Sequence, residues 1–246
     1  MFSVRSGPVP SGRRGSVSEL VRTFAILPVK RFEQAKQRLN RSGAGGAWRK
    51  ALSEAMLTDV LIALRRTEGV DCTIVVTADR RASDLAVGHG ARTLADMLED
   101  GQNAAARVGL EQAAREGCER VLLVPGDCPA LDPLELAGLL AEPSGARPYA
   151  AIVADRHGTG TNALLLRPPD VLAPAFGPDS FARHQQRAAD AGVDLRVRRL
   201  SSLALDVDTR EDVSALEAAL VQRRGGAAHT RGILRRADRV GVAPAA

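Results

Sequence analysis

The sequence is poor in aromatic residues, cysteine and lysine, and these shortages narrow the classes of protein to which it can belong. Aromatic side chains make up 3% of the 246 residues, which leaves few rings on which nucleic-acid bases could stack. The net charge of +5 and the pI near 9.7 would suit a nucleic-acid-binding protein. Much of the excess arginine, however, lies in residues 1–22 and 223–246. We therefore expect solvated basic termini, and we keep a nucleic-acid-binding module as the alternative.

The three cysteines, Cys72, Cys118 and Cys128, are far apart in the chain. No C-x-x-C pair is present, so we do not expect a zinc site. Each cysteine lies in or beside an apolar run, which is typical of a buried free thiol. Free thiols indicate a reducing compartment, and we expect the cytoplasm. No apolar run approaches the roughly 20 residues that span a bilayer, and the N-terminus shows no signal-peptide pattern.

Apolar runs alternate with amphipathic stretches from Phe24 onward, which predicts an α/β protein. Strands are predicted at 23–29, 72–77, 91–94, 121–124, 149–154, 163–166 and 195–205, and helices at 48–64, 103–116, 133–141, 179–191 and 210–222. The alternation favours one domain, residues 23–222, with a mostly parallel sheet covered by helices on both faces. We expect residues 1–22 to be a disordered extension and 223–246 a basic tail, disordered or weakly helical.

Polar side chains follow several of the predicted strands. Lys30, Asp79, Asp127 and Asp155 each come just after an apolar run. Ligands of such sheets bind beyond the carboxyl ends of the strands. We therefore expect these four side chains along one edge of the sheet.

Two of the three lysines, Lys30 and Lys36, lie in the loop after the first strand, and Arg38 follows closely. Lysine is a compact charge and arginine a planar fork, so lysines that persist in an arginine-rich chain suggest a specific task such as phosphate binding. The alternative is an ordinary solvated charged loop. The segment is neither a Walker A loop nor a G-x-G-x-x-G motif.

Asp127 ends a predicted buried strand and is flanked by a glycine and two prolines. A carboxylate held at a strand end suits Mg²⁺, although an Asx turn would explain the same pattern. Asp206 and Asp208 would share one face of an extended segment. Because Asp208 comes just before the predicted helix 210–222, we interpret it as a cap and Asp206 as a metal ligand.

Two further segments, 155–162 and 176–181, are predicted to bind anions. The first is a Gly/Thr-rich turn whose backbone amides would be free, and the second opens a helix. Of the histidines, His157 and His184 lie in predicted elements. No G-x-S-x-G elbow is present, so a Ser-His-Asp triad is not expected. We interpret His184 as an orienting or structural residue.

These segments, in this order, resemble the 2-phospho-L-lactate / phosphoenolpyruvate guanylyltransferase family, which acts in biosynthesis of the deazaflavin coenzyme F-420. The resemblance covers roughly residues 23–222 and implies a Rossmann-like, glycosyltransferase-A-like nucleotidyltransferase. The matching stretches are 28–30, 35–39, 126–131, 155–164, 176–184 and 205–209. The Gly-Thr-Gly-Thr turn with the later Phe-Gly-Pro-Asp-Ser is the most specific part. Cys128 and Gln102 depart from the family pattern, the second within a segment implied to contact guanine.

The resemblance also implies roles for single residues. GTP would be held by Lys30, Lys36, Arg38 and Asn103. Phosphoenolpyruvate would be held by Thr161, Gly177 and Ser180, and Mg²⁺ by Asp127 and Asp206. Lys30 and Asp127 would be the catalytic residues, with Lys30 neutralising charge on the leaving diphosphate.

The implied reaction is attack of the acceptor's phosphate oxygen on the α-phosphorus of GTP. The arginine bias indicates a GC-rich bacterial genome, and bacterial members favour phosphoenolpyruvate whereas archaeal members use 2-phospho-L-lactate. Other nucleotidyltransferases of this fold are a further alternative, but their first loop is glycine-rich and this loop is not. A non-enzymatic nucleotide- or nucleic-acid-binding module also remains open. Small proteins of this fold are often dimers, so a homodimer is one option, but the sequence does not give the oligomeric state.

Overall fold

The computed structural model describes residues 21–40, 45–142 and 147–240, in which strands alternate with helices. The strands are β1 Thr23–Val29, β2 Cys72–Thr77, β3 Arg92–Ala95, β4 Arg120–Leu123, β5 Tyr149–Ala154, β6 Thr161–Arg167 and β7 Asp194–Arg198. The helices are α1 Gln37–Asn40, α2 Gly46–Arg66, α3 Arg80–Gly88, α4 Gly101–Arg115, α5 Pro133–Leu140, α6 Ser180–Asp190, α7 Arg210–Gln222 and α8 Ala228–Val240.

The strands form one sheet in the order β3-β2-β1-β4-β6-β5-β7. Strand β6 runs antiparallel to both of its neighbours, β4 and β5, and the other paired strands run parallel. Because β5 and β6 form a hairpin, their turn lies at the same edge as the carboxyl ends of β1, β2 and β4. The predicted mostly parallel sheet is confirmed.

Alternate residues of β1 supply the two faces of the sheet, as the period of a strand requires. Ala25 and Leu27 pack in a cluster that includes α2, α3 and α5. Phe24 and Ile26 pack on the opposite side, where α4 and α6 lie. Helix α4 approaches closely at Gly109, where a Cβ would come within 2.4 Å of the Ile26 side chain. Helices therefore cover both faces, as predicted.

The C-terminal segment forms a helix that packs on the domain. Residues 228–240 form α8, which packs against α2, and Leu234 joins an apolar cluster with Leu52 and Met56. The buried carboxylate of Asp59, on α2, accepts hydrogen bonds from the backbone amides of His229 (3.1 Å) and Thr230 (2.8 Å). A carboxylate placed there satisfies free amides at a helix N-terminus and complements its dipole. Of the two predicted alternatives for the tail, residues 228–240 show the helical one, as a helix packed on the domain; residues 1–20 and 241–246 lie outside the described part.

One difference from expectation concerns the predicted extended segment 195–205. The strand ends at Arg198, and a turn follows in which the amide of Leu203 donates to the carbonyl of Leu200 (3.1 Å). Both leucines are buried, so the chain turns inward to cover the core and does not continue the sheet. The three cysteines are free, as predicted. Among the helices described, none combines the length and the apolar character needed to cross a membrane.

Candidate active site

A cleft of about 430 Å³ opens at the carboxyl edge of the sheet. Its walls are the loop after β1, the loop after β4 and the start of α4. Of the residues predicted from sequence to bind phosphate or metal, Lys30, Lys36 and Asp127 line it. Arg38 lies outside the cleft and is largely exposed, with its Nη1 4.0 Å from the Asp208 carboxylate. The structure thus brings the lysine loop and the first predicted metal carboxylate together.

The loop after β1 is held in place by two contacts. The carboxylate of Asp79 caps α3 by accepting from the amide of Ala82 (3.0 Å), and its other oxygen accepts from the amide of Phe32 (2.8 Å). Farther along the loop, Nη1 of Arg49 donates to the carbonyl of Ala35 (3.0 Å). These contacts fix the loop over the ends of β1 and β2.

Lys36 lies at the centre of the cleft in a left-handed backbone conformation, with φ of 57°. Its side chain is 6% exposed and its Nζ donates to the carboxylates of Asp127 and, at 2.7 Å, Asp208. Burial acts to lower the pKa of Lys36, but the two negative charges raise it by more, so it lies above its ordinary value. The ammonium group therefore stays charged and offsets one of the two negative charges.

Asp208 belongs to this site, and the prediction that it caps α7 is wrong. The N-cap is Thr209, whose hydroxyl accepts from the amide of Asp212 (3.3 Å) while the Asp212 carboxylate accepts from the amide of Thr209 (2.8 Å). That reciprocal pair satisfies the helix end and leaves the Asp208 side chain directed into the cleft. Burial raises the pKa of Asp208, but the charge of Lys36 outweighs it and the pKa is lowered overall.

Asp127 and Asp206 are brought together by the backbone. The amide of Val207 donates to the carbonyl of Asp127 (3.3 Å). Asn162 supports the second carboxylate, with its Nδ2 3.1 Å from Oδ1 of Asp206. Burial, and next the negative charge of Asp127, raise the pKa of Asp206. Oδ1 of Asp127 is itself buried without a hydrogen-bond partner, so the site has an unused acceptor.

Thr161, the first residue of β6, forms a second part of the site with His184 of α6. Oγ1 of Thr161 lies 3.1 Å from Nδ1 of His184, while Nε2 of the same ring accepts from the amide of Ala175 (2.8 Å). Burial lowers the pKa of His184 to about 4, so the ring is neutral at pH 7. Its proton therefore lies on Nδ1, which donates to Thr161 and leaves the threonine O–H as a donor.

Some backbone amides of the two predicted anion-binding segments are engaged within the protein. The amide of Thr159 donates to the carboxylate of Asp155 (2.9 Å), and the amide of Ser180 donates to the carbonyl of Gly177 (3.1 Å). The expectation of two anion sites stays a prediction, with the hydroxyls of Thr161 and Ser180 and the backbone at Gly177 as its candidate groups.

Asn103, expected from the resemblance to bind GTP, does not line the cleft. Its Oδ1 accepts from the amide of Phe176 (2.7 Å) and its Nδ2 donates to the carbonyl of the same residue (3.0 Å). The side chain therefore ties α4 to the loop before α6. Its neighbours Gly101 and Gln102 line the cleft instead.

Sequence reasoning missed several polar residues that line the cleft, among them Ser53 and Asp96. Asp96 directly follows β3 at the carboxyl edge, which was the signal that could have found it. One of its oxygens accepts from the amide of Glu99 (3.1 Å). Glu99 in turn forms a two-bond ion pair with Arg31 across the cleft, at 2.7 and 2.8 Å. Ser53 lies inside the apolar pattern of α2, which hid it.

Comparison with known proteins agrees with this architecture. A solved structure described as a nucleotide-diphospho-sugar transferase, from Desulfovibrio desulfuricans, superposes with a TM-score of 0.70 at 20% identity, over 89% of this chain and 96% of that one. A nucleotidyl transferase from Methanothermobacter thermautotrophicus superposes with a TM-score of 0.58 at 19% identity, over 82% of this chain and 98% of that one. At such identities the likeness shows the fold alone.

Closer relatives are found by sequence. A phosphoenolpyruvate guanylyltransferase from Conexibacter woesei is 53% identical over 86% of this chain and 95% of its own length. A 2-phospho-L-lactate guanylyltransferase from Methanothermobacter thermautotrophicus is 34% identical over 80% of this chain and 84% of its own length. The model of the family described as "Guanylyl transferase CofC like" matches residues 23–243. The chain belongs to this guanylyl transferase family.

Proposed function

We propose that the protein transfers GMP from GTP to phosphoenolpyruvate and releases diphosphate, giving enolpyruvyl-diphospho-guanosine for coenzyme F-420 biosynthesis. The observation that carries the proposal is the cleft in which Lys30 and Lys36 meet Asp127 and Asp208. Cations and carboxylates in one cleft suit a triphosphate and its metal. The relative at 53% identity named phosphoenolpyruvate guanylyltransferase supports the choice of acceptor.

The proposed reaction is a displacement at the α-phosphorus. An oxygen of the acceptor's phosphate attacks the α-phosphorus of GTP. The bond between the α-phosphorus and the oxygen that bridges to the β-phosphate breaks, and diphosphate leaves with the bonding electrons. A phosphate monoester is already anionic at pH 7, so no strong general base is needed. Catalysis then depends on alignment and on neutralising charge. Lys30, exposed at the cleft wall, would stabilise the charge that develops on the diphosphate.

We infer that Mg²⁺ binds at Asp127 and Asp206, with Asp208 adjacent. The fit rests on Oδ1 of Asp127, a buried carboxylate oxygen without a partner. Within the described ranges no three His, Cys, Asp or Glu side chains converge as a metal site. Mg²⁺ needs only one or two carboxylates when phosphate oxygens and water complete its shell. When bound, the ion would neutralise negative charge on the triphosphate.

The other end of the cleft suits the guanine base. Asp96 and Gln102 line it, and no hydrogen bond engages the Gln102 side chain among the residues described. Guanine presents donors on its Watson–Crick edge and an acceptor at O6, which match a carboxylate and an amide. The ends of β3 and β4 are three strand spacings apart, roughly 15 Å. An extended nucleotide can therefore place its base at Asp96 and its α-phosphate at Asp127.

The acceptor would bind beside the carboxylates, at Thr161, Gly177 and Ser180. Thr161 precedes Asn162, whose amide contacts Asp206. Its hydroxyl proton is free to be donated to a ligand, because Nδ1 of His184 is the donor in their contact. The hydroxyl of Ser180 lies at the start of α6, where the helix dipole favours an anion. An acceptor phosphate bound at these positions would lie on the side of the proposed metal ligand Asp206.

The experiment that tests the proposal is diphosphate release with GTP, Mg²⁺ and each acceptor in turn. We expect kcat/KM with phosphoenolpyruvate to exceed that with 2-phospho-L-lactate by at least about tenfold, a difference of about 1.4 kcal/mol. An Asp127→Asn variant serves as the inactive control. Equal rates, or turnover with phospholactate alone, would instead assign the activity named for the Methanothermobacter relative.

A further inference from the structure

Two polar side chains on α2 are buried without the partners that their chemistry requires. Arg49 is 8% exposed and Ser53 is 6% exposed. Nε of Arg49 and Oγ of Ser53 are both buried with no hydrogen-bond partner. They are one helical turn apart, so they lie on the same face of α2. That face is directed toward the lysine loop, because Ser53 lines the cleft and Arg49 bonds to the carbonyl of Ala35, which also lines it.

Each of these groups is unfavourable in the unliganded protein. A buried cation is strongly destabilising unless a negative charge compensates it. In the described part of the chain, the side chain of Arg49 makes a single hydrogen bond, to the neutral carbonyl of Ala35, and no carboxylate pairs with its guanidinium group. A buried hydroxyl without a partner also loses the hydrogen bonds that it made to water. Unsatisfied buried groups in a native protein point to a ligand or ion that completes them.

The missing partner has a definite chemistry. It must carry negative charge for Arg49 and offer an acceptor oxygen for Ser53. Lys30 lines the same cleft as Ser53, so a second cation is available to an anion bound there. A phosphate oxygen meets all of these conditions.

We propose that Arg49 and Ser53 form a binding subsite for the β- and γ-phosphates of the nucleotide, and for the diphosphate that leaves. This rests on the proposed guanylyl transfer, which requires a triphosphate in the cleft. Ser53 donates its hydroxyl proton to a terminal phosphate oxygen. Arg49 supplies the buried positive charge and also fixes the Ala35 carbonyl, so that the loop carrying Lys36 keeps its position.

The test compares ligands that have and lack the terminal phosphates. Affinities for GTP, diphosphate and GMP are measured by calorimetry for the wild-type protein, Ser53→Ala, Arg49→Gln and Arg49→Lys. Thr58→Val and Arg66→Gln are matched controls on α2, because the Thr58 hydroxyl is buried but already bonded to the Glu54 carbonyl (2.8 Å) and Arg66 is exposed.

We expect Ser53→Ala to weaken GTP and diphosphate binding about tenfold, the loss of one hydrogen bond to a charged group. GMP binding should be unchanged, and the melting temperature of the unliganded protein should be at least that of wild type. Arg49→Gln should lose more affinity for GTP and diphosphate than Ser53→Ala does. Arg49→Lys keeps the positive charge, so its affinity should be partly restored. Because Ser53→Ala removes no internal contact, it remains informative even if Arg49→Gln does not fold.

Equal losses for GTP and GMP, or unchanged diphosphate affinity in Ser53→Ala, would overturn the subsite. Failure of the guanylyl transfer itself would look different. In that case the wild-type protein would bind diphosphate through Ser53 but would turn over another nucleoside triphosphate, or none, with phosphoenolpyruvate. That result would leave the phosphate subsite standing and reject the proposed reaction.

Discussion

The ammonium group of Lys36 donates to the carboxylate of Asp208 at 2.7 Å and at the same time to the carboxylate of Asp127. One buried cation thus contacts two acidic side chains that are 81 positions apart in the sequence (208 − 127) and offsets one of their two negative charges. Without Lys36 the two negative charges would repel each other across the cleft. The lysine that first marked the loop as a phosphate site therefore also sets the charge balance of the carboxylates opposite.

Replacing Lys36 by methionine removes this charge while keeping most of the side-chain length. We expect the KM for GTP to rise at least about tenfold, as for the loss of a bond between charged groups, and the KM for the acceptor to change less. Initial rates with each substrate varied in turn measure both constants. Lys50→Met, an exposed lysine of α2, is the control. A larger effect on the acceptor would show that the two substrate positions have been exchanged.

Replacing Thr161 by valine tests the acceptor position. The isosteric side chain keeps the packing but removes the hydroxyl that His184 orients. We expect the KM for phosphoenolpyruvate to increase about tenfold while the KM for GTP stays within twofold. Thr159→Val, in the exposed turn just before β6, should leave both constants unchanged. If Thr161→Val altered only the GTP constant, the acceptor would have to bind elsewhere.

Asp96→Asn tests the base end of the cleft. A carboxylate accepts hydrogen bonds from the N–H groups of guanine. The N–H group of an asparagine would instead face these N–H groups, and the two donors would repel each other. We expect kcat/KM for GTP to fall by about two orders of magnitude, as for an unpaired buried polar group, and use of xanthosine triphosphate to improve. Competition between the two nucleotides measures the change. Asp100→Asn, on the same loop but outside the cleft lining, should keep the preference for GTP.

His184 makes stability depend on pH. Burial lowers its pKa to about 4, and the nearby charges of Arg187 and Arg183 act in the same direction. The unfolded chain therefore binds a proton at higher pH than the folded protein. The contribution of neutral His184 to the free energy of unfolding is therefore fully present above about pH 6.5 and is lost as the pH falls toward 4. At pH 5 the loss should be about 2 kcal/mol. Urea unfolding at pH 7.5 and 5 should show this loss in wild type and not in His184→Asn.

Asp59 should stabilise the C-terminal helix. Asp59→Ala removes the carboxylate that accepts from the amides of His229 and Thr230, so we expect a loss of about 1–2 kcal/mol in the free energy of unfolding. Asp84→Ala, an exposed acid of α3, is the control. Equal stability of the two variants in urea would mean that apolar packing on α2 alone holds α8.

The sequence predicted those elements that have a strong local apolar pattern. The predicted strands 23–29, 72–77 and 149–154 and the helix 210–222 coincide with β1, β2, β5 and α7. The three strands are continuous apolar runs that are largely buried, and α7 repeats apolar residues every three or four positions, so local pattern alone identifies them. The order of strands was not predictable in the same way, because inserting β6 between β4 and β5 depends on contacts between distant segments.

Tertiary contacts also explain the missed features. Helix α8 has few apolar residues among its arginines, and it is held by Asp59, about 170 positions earlier. The role of Asp208 was hidden because two residues precede α7 that can both cap it. The Thr209–Asp212 capping box was a local signal that distinguishes them. The site roles taken from the family resemblance remain predictions, including that of Asn103, whose side chain contacts the Phe176 backbone.

Helix α2 has a consequence beyond the binding of either substrate. It carries Ser53 at the cleft, Leu52 and Met56 in the cluster shared with α8, and Asp59 at the start of α8. A ligand that binds the folded protein raises the free energy of every opening that disrupts its site. Occupancy of the cleft by GTP should therefore slow amide hydrogen exchange in α8, although no residue of α8 lines the cleft.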